Sequence, residues 1–177
     1  MIFITRDMQN SDVRTWIISL CLCIFCFVVP LQGYVIGNDL GMGIQGAMFR
    51  YQVTGSGNSI ITLTQDLSYV TSGIYSGKTA NSVIFWISGT GVLVFTTIFT
   101  LIYGNRLPQR YLKFIIIGLL GAGILYLGSC VAQYGVLFSG PAGISLPAGV
   151  FFLFLLALLL QFYQGLFYNE SVQFPSG

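Results

Sequence analysis

The sequence predicts an all-α membrane protein, a four-transmembrane-helix bundle with a small extracytoplasmic β-hairpin lobe between helices 1 and 2. Only 7% of the 177 residues are charged and 55% are hydrophobic, whereas a soluble domain carries about 25% charged residues. Four apolar stretches are each close to the 20 or so helical residues that cross a hydrocarbon layer. These expected spans are Thr15–Gly37, Ser82–Tyr103, Tyr111–Gln133 and Ala148–Phe167, within a single membrane domain covering residues 1–177.

Basic residues predict the orientation of this bundle. They precede the first expected span and cluster again between the second and third, and short loops rich in Lys and Arg stay in the cytoplasm. The chain is therefore expected to be an integral, multi-pass protein of a cell membrane with both termini cytoplasmic. The topology-setting residues are Arg6, Arg14, Arg106, Arg110 and Lys113.

The outer lobe, about residues 38–81, has a different pattern from the spans. Apolar and polar residues alternate from Phe49 to Thr54, which is the period of a strand. A Gly-Ser-Gly-Asn turn follows, and a β-branched run then extends from Ser59 to Gln65, so a hairpin is expected. An isolated hairpin is marginal in water, and its exposed edge favours contact with another surface. The expected outer-contact residues are Phe49, Tyr51, Val53, Ile61 and Leu63.

A large strand-containing loop between the first two spans, with a short second outer loop, resembles the topology of claudin-type tetraspans. The W-G-L-W-C-C pattern of that family's first loop is absent, and the loop holds no cysteine. The resemblance therefore covers organisation alone.

Small residues predict where the helices pack, because helices in lipid associate through close backbone approach. The third span carries a stripe of glycine and alanine at spacings of three and four, and the second span offers glycine and hydroxyl side chains. This seam could join helices of one chain or of two. The expected helix-packing residues are Gly118, Gly121, Ala122, Gly128, Ala132 and Gly89.

The composition excludes most catalytic and metal sites. The chain has no histidine, and the expected spans contain no Asp, Glu or Arg, so the usual general base and commonest metal ligand are missing. The four cysteines all fall inside expected spans and are interpreted as packing residues, with acylation or redox chemistry as alternatives. We therefore expect no catalytic residue, cofactor or metal. An enzyme would need at least two of the groups Asp39, Asp66 and Lys78 to converge at the outer face.

These patterns favour a non-catalytic integral membrane protein, a structural or accessory subunit that assembles through the glycine-rich helix seam and the outer hairpin. Its expected partners are membrane lipids and other membrane-protein subunits or copies of itself. Nucleic acid is not expected, because no basic run is long enough to neutralise several phosphates. The alternative is a small oligomeric channel or transporter for a neutral solute, with the hydroxyls of the second span lining its route.

Overall fold

A computed structural model of the protein describes residues 17–37, 40–103 and 108–172. Long helices alternate with short strands, and every strand lies in one antiparallel sheet. The helices are α1 (Ile17–Val28), α2 (Leu63–Thr71), α3 (Gly77–Tyr103), α4 (Pro108–Tyr134) and α5 (Ala148–Val172). The strands are β1 (Gln32–Ile36), β2 (Gly41–Gln45), β3 (Phe49–Thr54), β4 (Gly57–Thr62), β5 (Ser139–Gly140) and β6 (Gly143–Leu146).

The sheet has the order β4-β3-β2-β1-β6-β5. Strands β1 to β4 form a meander of antiparallel neighbours, and β6 joins the free edge of β1 from the far end of the chain. Gly33 pairs with Leu146 in this junction, and Ile36 pairs with Gly143. Two segments that are more than 100 residues apart thus complete one sheet.

The predicted four-helix all-α bundle is wrong. The described residues form five helices and a six-stranded sheet, and two of these helices, α3 and α4, are long and apolar enough to cross a membrane. Helix α1 (Ile17–Val28) and the apolar part of α5 (Ala148–Phe162) are shorter than these two apolar helices. The prediction of a first span over Thr15–Gly37 is wrong because this stretch contains a helix followed by a strand. Its helix ends before Pro30, which cannot continue the backbone hydrogen bonds, and Gln32–Ile36 then forms a strand.

The outer lobe is also larger than the predicted hairpin. That hairpin corresponds to β3 and β4, which are two of six strands. The β-branched run does not continue to Gln65, because Thr62 caps α2. The Thr62 backbone N–H donates to the Gln65 side chain at 2.9 Å, and the Gln65 N–H donates to the Thr62 hydroxyl at 3.4 Å. This capping box starts the helix at Leu63.

Helices α3 and α4 pack antiparallel along a seam of small residues. Near the sheet, the Ser82 hydroxyl donates to the Ser129 carbonyl at 2.9 Å and the Ser129 hydroxyl donates to the Ser82 carbonyl at 2.8 Å. Further along, a Cβ on Gly118 would lie 2.8 Å from Cγ2 of Thr96. The two helices therefore approach so closely that only glycine, which has no Cβ, fits at position 118 without displacing Thr96.

The remaining long helices cover this pair. On α5, Phe154 fits over Gly123 of α4, and Leu153 is fully buried in the shared core. On α1, Cys23 and Cys26 are buried in the same core. The four long helices and the turn at Ala47 thus share one apolar cluster.

We predict that Gly118→Ala destabilises the protein by about 1–3 kcal/mol, because the new methyl group overpacks the seam against Thr96. The measurement is the thermal denaturation midpoint in mild detergent. Gly91→Ala is the matched control: it lies on the exposed side of α3 with open space where its Cβ would be, and alanine favours a helix. Equal midpoints for the two variants would contradict the close approach.

Candidate functional site

The face of the sheet that packs against the helices is polar. Cross-strand partners share a face, and two rows of such partners carry most of the polar side chains of this inner face. The Gln32 amide donates to the Gln45 side chain at 2.5 Å, and the Ser145 hydroxyl donates to Gln32 at 3.0 Å. The two inner rows are Gln32, Gln45, Arg50 and Ile61, and Ser145, Tyr34, Gly43, Gln52 and Ser59.

The opposite face is apolar and open. Its side chains alternate with those of the inner rows and point away from the helices, and Met42, Ile60 and Leu146 are 62%, 64% and 67% exposed. No charged residue occurs in these rows. The outer rows are Ile144, Val35, Met42, Val53 and Asn58, and Leu146, Gly33, Ile44, Tyr51 and Ile60. We call these ten residues the outer face.

The sheet therefore buries its polar face and exposes its apolar one, the reverse of an antiparallel sheet in water. The largest apolar patch on an ordinary monomer covers about 300–600 Å² and is often functional. Seven apolar residues of the outer face are each 38–67% exposed, so its apolar surface lies at the upper end of that area range, about 600 Å². An apolar surface of this size is the leading candidate for an interaction site.

The strands run alongside the helices, so the outer face is directed perpendicular to the helix axes. Cys130 of α4 donates to the Gln32 side chain of β1, which also accepts from Ser145 of β6. One helical turn later, the Tyr134 carbonyl oxygen lies 2.7 Å from where a Cβ on Gly140 would be, and Gly140 pairs with Gly143, two residues before Ser145. Two residues of strand and four of helix both advance about 6 Å. Strand β6, and β1 paired with it, thus follow the axis of α4, and the outer face looks perpendicular to that axis.

The turn between β2 and β3 locks the sheet onto α3. The Trp86 indole N–H donates to the Gly46 carbonyl at 3.0 Å, and the Thr90 hydroxyl donates to the Ala47 carbonyl at 2.6 Å. Both carbonyls would otherwise be buried without partners, which costs about 1–3 kcal/mol each. Beside this turn lies a cavity of about 10 Å³, room for one water molecule at most. Its lining includes Gln32, Gln45, Trp86 and Cys130.

A buried ion pair ties the sheet to α2. The Arg50 guanidinium of β3 donates to Asp66 at 2.6 Å and to the Tyr75 hydroxyl at 3.3 Å, and the Asp66 side chain is fully buried. Burial raises the pKa of the Asp66 carboxyl above its usual value, while the charge of Arg50 acts in the opposite direction. Burial also raises the pKa of Tyr34 to about 12. These groups form a structural junction under the sheet.

The expected outer-contact residues separate into two sets. Tyr51 and Val53 belong to the outer face, and Phe49 lies on the same side of β3 and is exposed. Ile61 instead pairs with Arg50 on the inner face. Leu63 starts α2 and packs against the apolar core.

The expected helix-packing residues lie at different distances from their neighbours. A Cβ on Gly89 would lie 3.0 Å from the Tyr126 ring, whereas one on Gly128 would lie 3.5 Å from Phe85 and one on Gly121 would lie 3.9 Å from Val92. Ala122 is fully buried and Ala132 is partly exposed.

Of the topology-setting residues, Arg6, Arg14 and Arg106 lie outside the described residues. Arg110 is in the first turn of α4, and Lys113 is exposed on the same helix.

Eight of the ten outer-face residues are not among the expected outer-contact residues. The residues from β1, β2 and β6 were assigned to a helix, an irregular lead-in and a turn. Alternation of Met42 and Ile44 with glycine is a weak strand signal, and β6 has only four residues. The missed residues of β1, β2 and β6 are Gly33, Val35, Met42, Ile44, Ile144 and Leu146, and those of β4 are Asn58 and Ile60.

Two of the hydroxyl groups expected for a solute route make hydrogen bonds within their own helix. Thr96 and Thr100 are buried on α3 and donate to carbonyls one turn earlier, at Val92 and Thr96. Ser88 faces away from α4 and is exposed. Among the described residues, no group of three His, Cys, Asp or Glu side chains could hold a metal ion.

Of the three acidic or basic groups that an enzyme would need, Asp39 lies outside the described residues. Asp66 is paired with Arg50, and Lys78 is exposed at the start of α3. The chain matches no protein-family model and no curated protein at a significant level.

We predict that Asp66→Asn destabilises the fold by about 3–5 kcal/mol, because it leaves the Arg50 charge largely buried without its partner. The double variant Arg50→Met/Asp66→Leu removes both charges, and its loss should be clearly smaller. Thermal denaturation of both variants in detergent tests this. A double variant that is less stable than Asp66→Asn would show that the ion pair is not the important contact.

Proposed function

We propose that the protein is a non-catalytic integral membrane protein, a structural or accessory subunit that binds a neighbouring membrane protein or a copy of itself through its outer face. The observation that carries this proposal is the reversed polarity of the sheet, with polar rows against the helices and apolar rows exposed. An apolar surface in water is stabilised when a partner covers it.

Placement in a membrane is supported by the surfaces of the helices. Helices α3 and α4 are long and apolar enough to cross a bilayer, and their exposed side chains are large and apolar. Phe95 and Ile98 are exposed on α3, as are Ile117 and Ile124 on α4. Lipid chains would cover these side chains without any further protein.

The orientation follows from charge. The link between α3 and α4 carries Arg106, and Arg110 and Lys113 follow in the next turns, so this end is cytoplasmic by the positive-inside rule. The sheet lies at the opposite end and is thus outside. The proposal also places the N-terminus in the cytoplasm, because Arg6 and Arg14 precede α1 in the sequence.

The contacts of the hydroxyl side chains favour assembly over the alternative of a channel or transporter. A route for solute needs polar groups that face a hydrated passage. Thr96 and Thr100 are instead buried, and their hydroxyl groups donate to carbonyls of their own helix. With these hydrogen bonds made, both side chains can pack closely against neighbouring helices.

We predict the orientation as follows. With Cys21 replaced by Ser, a cysteine at Ser56 in the exposed β3–β4 turn reacts with an impermeant maleimide added to intact cells. A cysteine at Asn105 reacts after the cells are permeabilised. The reverse order of labelling would overturn the assigned topology.

We predict that Ile60→Asp releases the partner, because it puts a charge inside a dry contact. The measurement is the mass of the complex extracted in mild detergent, which should fall to that of the single chain. Leu67→Asp is the matched control, since Leu67 is 42% exposed but lies on α2. The proposal fails if Ile60→Asp leaves the complex intact, or if the unsubstituted protein is extracted as a single chain.

A further inference from the structure

The outer face has the shape and composition of a surface that pairs with itself. An apolar patch of about 600 Å² on one chain would give about 1,200 Å² in a pair, which reaches the 1,200–2,000 Å² of a standard stable interface. The rows hold no charged side chain, so two copies meet without charge repulsion. A partner of opposite charge would have nothing to recognise.

The direction of the strands restricts how two copies can meet. Strand β6, and β1 paired with it, follow the axis of α4, so in a chain whose α3 and α4 cross a bilayer, the strands run along the membrane normal. Two copies in one membrane are related by a two-fold axis along that normal, since closed two-fold pairs are the commonest assembly. This axis is parallel to the strands and lies between the two outer faces.

The five longer strands have β2 at their centre, so the axis passes over β2. Rotation then places β1 of one copy over β3 of the other, and β6 over β4. Gly33 comes to face Tyr51, and a Cβ on Gly33 would meet nothing within 4 Å. The gap left by Gly33 in one sheet thus accepts the Tyr51 ring of the other, once on each side of the axis. Sheets stacked in this way are about 10 Å apart with interdigitating side chains.

We propose that the occupant of the outer face is a second copy of this chain in the same membrane, packed sheet to sheet about a two-fold axis over β2. This inference rests on the proposed function, because it names the partner of the same surface. Ile60 of each copy then lies beside Leu146 of the other, and the two Ile44 side chains meet at the axis.

Cross-linking in the membrane tests the arrangement. Full-length chains with Cys21→Ser carry either Ile60→Cys with one epitope tag or Leu146→Cys with another, and are co-expressed. A short impermeant bis-maleimide, to which each thiol adds once, should join the two differently tagged chains. Leu67→Cys paired with Leu146→Cys is the control and should give at least tenfold less product. Linkage of Ile60→Cys to itself as the dominant product would overturn the axis along the strands.

A second variant separates failure of this inference from failure of the proposed function. Ile44→Cys should resist an impermeant maleimide in intact membranes and react after dilution into dissociating detergent. If Ile44→Cys is protected but no chain links to a second copy, a different protein covers the outer face, and the second-copy inference is overturned alone. If Ile44→Cys reacts freely in membranes, the outer face is bare and both proposals fail.

Discussion

The reversed polarity of the sheet is the constraint on which the rest of the structure depends. Gln32 and Gln45 bond each other beneath the sheet, and Ser145 and Cys130 both donate to Gln32. A shift of one residue in any strand would exchange the two faces, leaving these amides exposed and placing apolar side chains against the polar ends of the helices. The register is therefore held by hydrogen bonds that must be satisfied, and the apolar rows face outward as a consequence.

The helices make this arrangement possible. The α3–α4 seam is tight enough that Gly118 contacts Thr96 directly. At the end of α3 nearest the sheet, Trp86 and Thr90 donate hydrogen bonds to the β2–β3 turn. The turn needs those donors because its carbonyls are surrounded by apolar side chains. A rigid helix pair and a polar sheet face thus fit one another, and the pair Arg50–Asp66 adds α2 to the same unit.

Sequence reasoning located α3 and α4 well, because their apolar runs are long and uninterrupted. It failed where strands adjoin helices. Val35 and Ile36 extend an apolar run and read as helix, although Pro30 marks the break. The pairing of β1 with β6 joins Gly33 to Leu146, and no local pattern reports so distant a contact. Part of the outer face was recognised from alternation in β3, whereas its other strands are short or glycine-rich, as at Gly43, where a Cβ would meet the Tyr34 ring.

The central claim is that the outer face is covered when the protein is in its membrane. Oxidative footprinting with mass spectrometry measures this directly, because the Met42 side chain is readily oxidised and 62% exposed in the single chain. The account predicts strong protection of Met42 in membranes and loss of that protection in dissociating detergent, with exposed Met48 of the β2–β3 turn as a reference. Equal oxidation of Met42 in both conditions would contradict it.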